Sequence, residues 1–346
     1  MQNLLIHGDN IEGLQYLLQQ GYGGRVDLIY IDPPFATGGN FTVSAGRAST
    51  ISQAKSGTIA YTDKLIGADF VESIRRRLVL ARELLSERGS IYLHTDYKIG
   101  HYLRVMMDEV FGIDNFRGDI TRIKCNPKNF SRIGYGNIKD MILFYSKTKK
   151  PIWNEPHEPY TQEELQRLYP KKDAAGRRYT TVPIHAPGET DNPALFKGML
   201  PPKGRHWRTD VPTLEQWDRE GLIEWSERGS PRKIIYADER PGKRVQDVWT
   251  FKDPQYPVYP TEKNDELLER IISTSSHPES IVLDFYCGSG TTLSCASKLG
   301  RHWIGIDASP LAIQTTQKKL GWGDDGLSRL SDVLISLHPS PSLMAE

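Results

Sequence analysis

The run Val26-Asp27-Leu28-Ile29-Tyr30-Ile31 leads straight into Asp32-Pro33-Pro34-Phe35, and this junction limits the fold more than any other stretch of the chain. A strand that is apolar almost without alternation has both faces covered, as parallel strands between two layers of helices do. Neither proline has an N–H for a ladder, so the strand must stop there, beside a carboxylate. Parallel strands need helical crossovers, and the flanking sequence supplies them.

"NLLIHGD" reads as a short strand. Asn10 is placed to cap a helix over 11–20 whose apolar side is Ile11, Leu14, Leu17 and Leu18. Phe70, Ile74, Leu78, Ala81 and Leu85 form one stripe of a long helix that stops before Gly89. "SIYLHTD" is a strand, "IGHYLRVMMDEVFG" a helix and "IKDMILFYSK" a further strand. Late in the chain the alternation returns, with helices expected over 265–274, 291–299 and 311–319 and strands over 280–285 and 302–306. The pattern predicts a doubly wound, Rossmann-like α/β sheet.

Between these halves, over residues 147–245, prolines, tryptophans and charges crowd together and periodicity is weak. The expected organisation is one α/β domain, 1–146 with 246–323, interrupted by an insertion over 147–245 and followed by a C-terminal tail over 324–346 whose end, "SLHPSPSLMAE", reads as frayed. Residues 36–57, rich in Gly, Ser, Thr and Ala, read as a mobile loop beside the Asp-Pro-Pro-Phe turn.

The chain of 346 residues carries a net charge of only +1, but Arg117–Asp210 holds 18 Lys+Arg against 10 Asp+Glu, or +8. That asymmetry points to a polyanionic partner for the middle of the chain. Cys125, Cys287 and Cys295 have no C-x-x-C spacing, so neither a disulfide framework nor a zinc knuckle is expected. No H-E-x-x-H or similar pairing of histidines suggests a catalytic metal. The polar start "MQNLLIHGDN" and the lack of any ~20-residue apolar window point to a cytoplasmic protein with no membrane partner.

"IVLDFYCGSGTT", Ile281–Thr292, is a strand, a glycine turn and the start of a helix, bringing bare backbone to a ligand at the carboxyl edge of the sheet. Asp307, at the end of the next strand, is placed to accept hydrogen bonds from ribose hydroxyls. G-x-G-x-x-G fails at Leu293, and a P-loop fails because Thr291 follows Gly290. A nucleoside without a phosphate chain remains, and S-adenosylmethionine is the common cofactor of that kind.

Asp32-Pro33-Pro34-Phe35 together with this glycine turn resembles the amino-methylating DNA methyltransferases of the adenine-N6 and cytosine-N4 type. The catalytic turn precedes the cofactor turn, a circularly permuted order that resembles the family's β class. "IHGDNIEGL" is similar to its N-terminal element, which implies Asp9 and Asn10 beside the cofactor. "YPTEKNDELLERII" is similar to the segment before the glycine turn, which brings in Lys263. The implied cofactor site is completed by Asp32, by Asp284, Phe285, Tyr286, Cys287, Gly288, Ser289, Gly290, Thr291 and Thr292, and by Asp307 and Ala308. Tyr286 stands where the family usually has Phe, Cys287 where Ala is common, and Phe35 where Tyr is commoner; each change of ring keeps an aromatic face.

The chemistry fits the residues. An exocyclic amino group is a poor nucleophile because its lone pair is delocalised into the ring. Acceptors for its two N–H groups, Asp32 and the Pro33 carbonyl, would free the lone pair for in-line attack on a sulfonium methyl, and prolines keep those acceptors rigid. Phe35 offers a stacking face for a base flipped out of duplex DNA. The residues before the three cysteines are Lys, Tyr and Ser, so the Pro-Cys nucleophile of a cytosine-C5 mechanism is missing. Cytosine-N4 relatives usually carry Ser at the position of Asp32, which favours adenine. Cytosine-N4 methylation, an RNA substrate and a non-catalytic specificity subunit stay open as alternatives.

For nucleic acid, "RIKCNPKNFSRIGYGN" mixes Lys124, Lys128 and Arg132 with aromatics in a way that suits phosphate contacts with stacking or a wedge. "PPKGRHWRTD" resembles part of the specificity region of related methyltransferases, with Arg205 and Arg208 as contacts to phosphate or guanine; the insertion is thus expected to be a target-recognition region. Arg75-Arg76-Arg77 reads as the solvated face of its helix. The resemblance also brings double-stranded DNA as partner and a homodimer as assembly, and leaves a companion restriction enzyme open.

Overall fold

The computed structural model describes residues 2–34, 40–44, 47–48, 58–62, 68–127, 131, 133–191, 193–227, 229–254, 262–322 and 332–337. The chain forms two compact units, Met1–Pro156 with Gln246–Glu346, and His157–Val245.

In the first unit the strands of the main sheet are β1 (Asn3–His7), β2 (Val26–Ile31), β3 (Leu85–Thr95), β4 (Phe116–Ile123), β5 (Lys139–Ser146), β6 (Val248–Thr250), β7 (Ile281–Asp284), β8 (His302–Asp307) and β9 (Asp332–Ser336). Its helices are α1 (Asn10–Gln19), α2 (Ala68–Leu84), α3 (Gly100–Phe111), α4 (Asp265–Ser275), α5 (Thr291–Lys298) and α6 (Pro310–Lys319). Across the sheet the strands run β6-β4-β5-β3-β2-β7-β8-β1-β9. Every pairing is parallel except the two that β5 makes, with β3 and β4.

β2 and β7 lie side by side at the centre, with Ile29 opposite Leu283. From β2 the chain crosses through α2 to β3 on one side. From β7 it crosses through α5 to β8 on the other. The two connections diverge and leave a crevice at the carboxyl ends of β2 and β7, the usual ligand position in such sheets.

One face of the sheet packs Ile29, Ile31, Leu93 and Leu143 into a single buried cluster with Leu14, Leu17, Ile74, Leu78, Leu103 and Met107 from α1, α2 and α3. On the other face, Tyr92 stacks on Phe144 with centroids 4.3 Å apart, and its hydroxyl meets Ser275 of α4 at 2.7 Å. Gly305 in β8 lets α5 approach closely: a Cβ there would lie 2.4 Å from Leu293 Cδ1.

Several expectations are corrected. Asp9, not Asn10, caps α1, its carboxylate accepting from the Ile11 N–H, because the Asn10 side chain turns inward and is buried. The part read as tail supplies β9, parallel to β1; 338–346 lie outside the described residues. Within the expected mobile loop and just after it, Asn40–Ser44, Arg47–Ala48 and Thr58–Thr62 form a small antiparallel sheet, as their Thr, Val and Ile content allows. Residues 147–156 belong to the first unit. Among the described residues no helix is long and apolar enough to cross a membrane.

The second unit has a four-stranded sheet in the order Lys171–Lys172, Arg178–Pro183, Pro231–Tyr236, Ile223–Trp225. Ile184, Phe196, Leu214 and Ile223 form its small core, with Trp207 and Trp217 packed against it. Thr161 and Glu164 close a capping box on helix Gln162–Leu168. This unit holds 16 Lys+Arg and 14 Asp+Glu, a net of +2. The basic excess of the middle of the chain lies instead in Arg117–Lys150, with 9 Lys+Arg against 2 Asp+Glu, around β4 and β5 of the first unit.

Candidate active site

β2 ends at Ile31 because Pro33 and Pro34 cannot continue it, and Asp32 is left at the mouth of the crevice. Its Oδ2 sits 2.6 Å from Lys263 Nζ. Lys263 is nine-tenths buried and immediately precedes Asn264, whose side chain caps α4 by accepting from the Leu267 N–H. Asp32 Oδ1 is buried and has no hydrogen-bond partner among the described residues. Leaving such an atom unpaired costs about 1–3 kcal/mol, and the Lys263 ammonium on Oδ2 fixes the direction in which Oδ1 points. Pro33 beneath it is buried, while Phe35 lies outside the described residues.

A polar row that sequence reasoning did not find underlies this turn. The Tyr30 hydroxyl meets His94 Nδ1 at 2.8 Å, and His94 Nε2 meets Asp140 Oδ2 at 3.3 Å. Lys124 Nζ reaches Asp140 Oδ1 at 2.6 Å, and Arg122 Nη1 lies 3.6 Å from Oδ2. Arg122 also donates from Nε to the Phe251 carbonyl at 2.8 Å and from Nη2 to Asp253 at 2.5 Å.

The protonation states follow from the surroundings. Burial works against the charge on Asp140, but the hydrogen bond from His94 and the Lys124 ammonium outweigh it and hold the carboxyl well below its ordinary range. Burial lowers the His94 pKa and keeps the ring neutral. With Asp140 ionised, Nε2 must carry the ring proton, so Nδ1 accepts from the Tyr30 hydroxyl. The hint in the sequence was a polar residue interrupting apolar strands at the same end: His94 in "SIYLHTD" and Asp140 in "IKDMILFYSK".

The second turn follows β7. Gly288 (φ 50°) and Gly290 (φ 73°) have left-handed backbones, and a Cβ on Gly290 would meet Thr316 Oγ1 at 2.7 Å. Asp284 accepts from the Thr292 hydroxyl at 2.6 Å and from the Tyr286 N–H at 3.0 Å. Burial nevertheless dominates and pushes its carboxyl up to about 7. Asp307, also raised by burial, accepts from the Gly288 N–H at 2.9 Å and the Ser309 N–H at 2.9 Å. Its Oδ2 thus ties the turn to the end of β8, while Oδ1 holds the residues just after that strand. Ser289 and Thr291 pair through their hydroxyls at 3.0 Å, Phe285 and Cys287 are buried, and Ala308 is exposed.

Asn10 joins the two halves: its Nδ2 donates to the Phe285 carbonyl at 3.0 Å, and its Oδ1 accepts from Arg77 Nε. Arg77 also pairs with Asp9 at 3.2 Å. It is therefore turned into the structure and is not part of a solvated face; its neighbour Arg75 pairs with Glu72 and Glu109. The structure brings Asp9, Asn10, Asp32, Lys263, the glycine turn and Asp307 to one edge of the sheet.

The residues expected to meet DNA fare differently. The Lys124 ammonium is engaged by Asp140 inside the fold. Lys128 and Arg132 lie outside the described residues. Arg205 and Arg208 belong to the second unit, Arg205 on a short strand beside His185 Nδ1 (3.2 Å) and Arg208 donating from Nε to the His185 carbonyl (3.1 Å).

A family model described as DNA methylase, of the N6 and N4 methyltransferase group, matches residues 26–318. The chain is 40% identical over 331 residues to the Type II methyltransferase M.EcaI of Enterobacter cloacae, covering 93% of this chain and 70% of that protein. It is 26% identical over 373 residues to the Mod subunit of the Type III restriction-modification enzyme StyLTI of Salmonella typhimurium. That match covers 94% of this chain, which spans just over half (56%) of the subunit's length. Among solved structures, PvuII DNA methyltransferase (cytosine-N4-specific) shares the fold, with a TM-score of 0.52 at 14% identity over 95% of this chain and 89% of that one.

Proposed function

Because the chain belongs to the DNA methylase family, we propose that it transfers a methyl group from S-adenosylmethionine to the N6 amino group of adenine in double-stranded DNA, in a prokaryotic cytoplasm. The observation that carries this reading is the divided carboxylate of Asp32: Oδ2 is held by Lys263, and Oδ1 is buried, fixed and without a partner among the described residues. An acceptor so arranged suits one N–H of an exocyclic amine, with the Pro33 carbonyl taking the other. An aspartate here, in place of serine, favours adenine over cytosine-N4.

The cofactor supplies an electrophilic methyl when bound. The residues present fit it: Gly288 and Gly290 hold left-handed backbone, Gly290 has no room for a side chain against Thr316, and Asp284 can offset a positive charge. Asp9, Asn10, Tyr286 and Asp307 complete the cradle. Asp32 draws on the amino protons and frees the nitrogen lone pair, then stabilises the positive charge that develops there. Lys263 holds Oδ2 so that Oδ1 keeps its direction.

The second unit is the proposed reader of the target sequence, with Arg205 and Arg208 as contacts. Lys128 and Arg132 are proposed contacts from the first unit. A homodimer and a cognate restriction enzyme are further partners in this reading. The test is nucleoside mass spectrometry on mixed-sequence unmethylated duplex DNA incubated with the chain and S-adenosylmethionine, beside Asp32→Ala. N6-methyladenine that disappears in the variant is expected. N4-methylcytosine would overturn the base assignment, and no methylated nucleoside would overturn the activity.

A further inference from the structure

The connection between β4 and β5, residues 124–138, carries Lys128 and Arg132, proposed above as DNA contacts, but its exposed apolar residues have been given no role. Both of its ends are anchored. The Lys124 N–H donates to the Ile138 carbonyl and the Asp253 N–H to the Lys124 carbonyl, each at 2.9 Å. Beneath them, Asp140 takes Lys124 at 2.6 Å, and the wholly buried Arg122 takes Asp253 at 2.5 Å. Charge-assisted bonds under cover make this base stiff.

The outer part is of opposite character. Ile133 is 107% exposed and Tyr135 102% exposed, so neither buries surface against the fold. Gly134, at φ 103°, and Gly136 flank the Tyr135 ring. One exposed apolar side chain is ordinary. Two within three residues, beyond an anchored base in a connection whose charged residues, Lys124, Lys128 and Arg132, are all basic, suit an apolar ligand flanked by phosphates.

The position is right for such a ligand. β4 runs in the same direction as β3 and β2, so its carboxyl end and the start of β5 share the sheet edge that carries Asp32. With strands spaced about 4.8 Å apart, β5 is about 10 Å from β2 and β4 about 15 Å. Those spans are comparable to the width of a DNA major groove, about 12 Å.

We propose that the β4–β5 connection is a wedge: Tyr135, with Ile133 beside it, enters the base stack where the target base leaves it and stacks on the neighbouring bases. The proposal rests on the DNA methylation inferred above. A ring in the gap offsets the unstacking that base flipping requires, as apolar wedges do elsewhere in DNA recognition. The buried Tyr30–His94–Asp140–Arg122 row then has a second consequence, since it ties the wedge's base to the strand that carries Asp32.

The test uses the full chain and an oligonucleotide duplex bearing the sequence that the wild-type chain methylates. Single-turnover methylation is measured on the perfect duplex and on one with an abasic site opposite the target base, where flipping is easier. Tyr135→Ala is expected to slow transfer about tenfold or more on the perfect duplex and to come within about twofold of wild type on the abasic one. Tyr135→Trp is expected to stay near wild type. Melting temperatures should not move, because Tyr135 buries no surface. An unchanged rate for Tyr135→Ala, or an equal loss on both duplexes, would overturn the wedge alone. A wild-type chain that neither binds nor methylates DNA would overturn the wedge and the proposed function together.

Discussion

The two turns that face the crevice follow adjacent strands, yet they are built on opposite principles. After β2, two prolines stiffen the backbone, and the Asp32 carboxylate before them keeps one oxygen without a partner among the described residues. After β7, glycines admit left-handed backbone, and the acids around them are engaged: Asp284 by Thr292 and Tyr286, Asp307 by Gly288 and Ser309. A site that must polarise a reacting atom benefits from an unsatisfied group, because satisfying that group is part of binding the substrate. A site that holds a cofactor benefits from a satisfied scaffold with bare backbone. The comparison implies that damage to the first turn should remove chemistry, and damage to the second should remove affinity or stability.

The largest effect expected is that of Asp32→Ala, which should lower the transfer rate on the order of 10²–10³-fold. Cofactor affinity, measured by calorimetry, should change little. A loss of cofactor binding of the same size would erase the distinction between the turns. Next comes Lys263→Met, which strips the partner from a carboxylate that is only 14% exposed. We expect a loss of about 2–3 kcal/mol in denaturant unfolding, much of it recovered when Asp32→Asn is added.

Gly290→Ala sharpens the other half of the comparison. It places a Cβ against Thr316 on a left-handed backbone, and about 1–2 kcal/mol of stability should be lost. Weaker cofactor binding should follow, with a near-normal single-turnover rate at saturating cofactor. The smallest effect concerns pH. With its carboxyl pushed up to about 7 by burial, Asp284 contributes stability that is full below the ordinary carboxylate range and lost as pH rises through about 7. The cofactor-free chain should therefore lose melting temperature from pH 5 to 8, with a smaller slope in Asp284→Asn. Affinity for the cationic cofactor should rise over pH 6 to 8 by less than tenfold, about 1 kcal/mol.

The parts legible in the sequence were those where one residue type forces the backbone. β2 and β7 announce themselves because an unbroken apolar run meets prolines or glycines, and Phe70, Ile74, Leu78 and Ala81 of α2 repeat at helical spacing. Strands without that punctuation escaped. β4 carries Arg117, Asp119 and Arg122 along its length, β6 has three residues, and β9 was hidden in an apparent tail. The row from Tyr30 to Arg122 left only a hint in the sequence, His94 and Asp140 interrupting apolar strands, because its members come from four strands and meet only through pairing register, Arg122 lying opposite Asp140. Arg77 misled for a related reason: in a run of three arginines, the sequence does not show which one turns inward to Asp9 and Asn10. In the second unit the strands are two to six residues long, too short for alternation to register.

That second unit begins and ends on one antiparallel rung, His157 opposite Arg244 and Glu158 opposite Lys243, with Lys243 also bonded to Glu164 at 2.8 Å. Its own strands bring its two termini together, so the chain that hosts it closes a gap no wider than that of a short surface loop, and loop length adds little to the cost. Such a segment can be exchanged as a cassette. A recombination event that swaps the stretch between the two halves of this rung would replace the unit proposed above to read the target sequence, while the strands bearing Asp32 and Asp284 kept their neighbours.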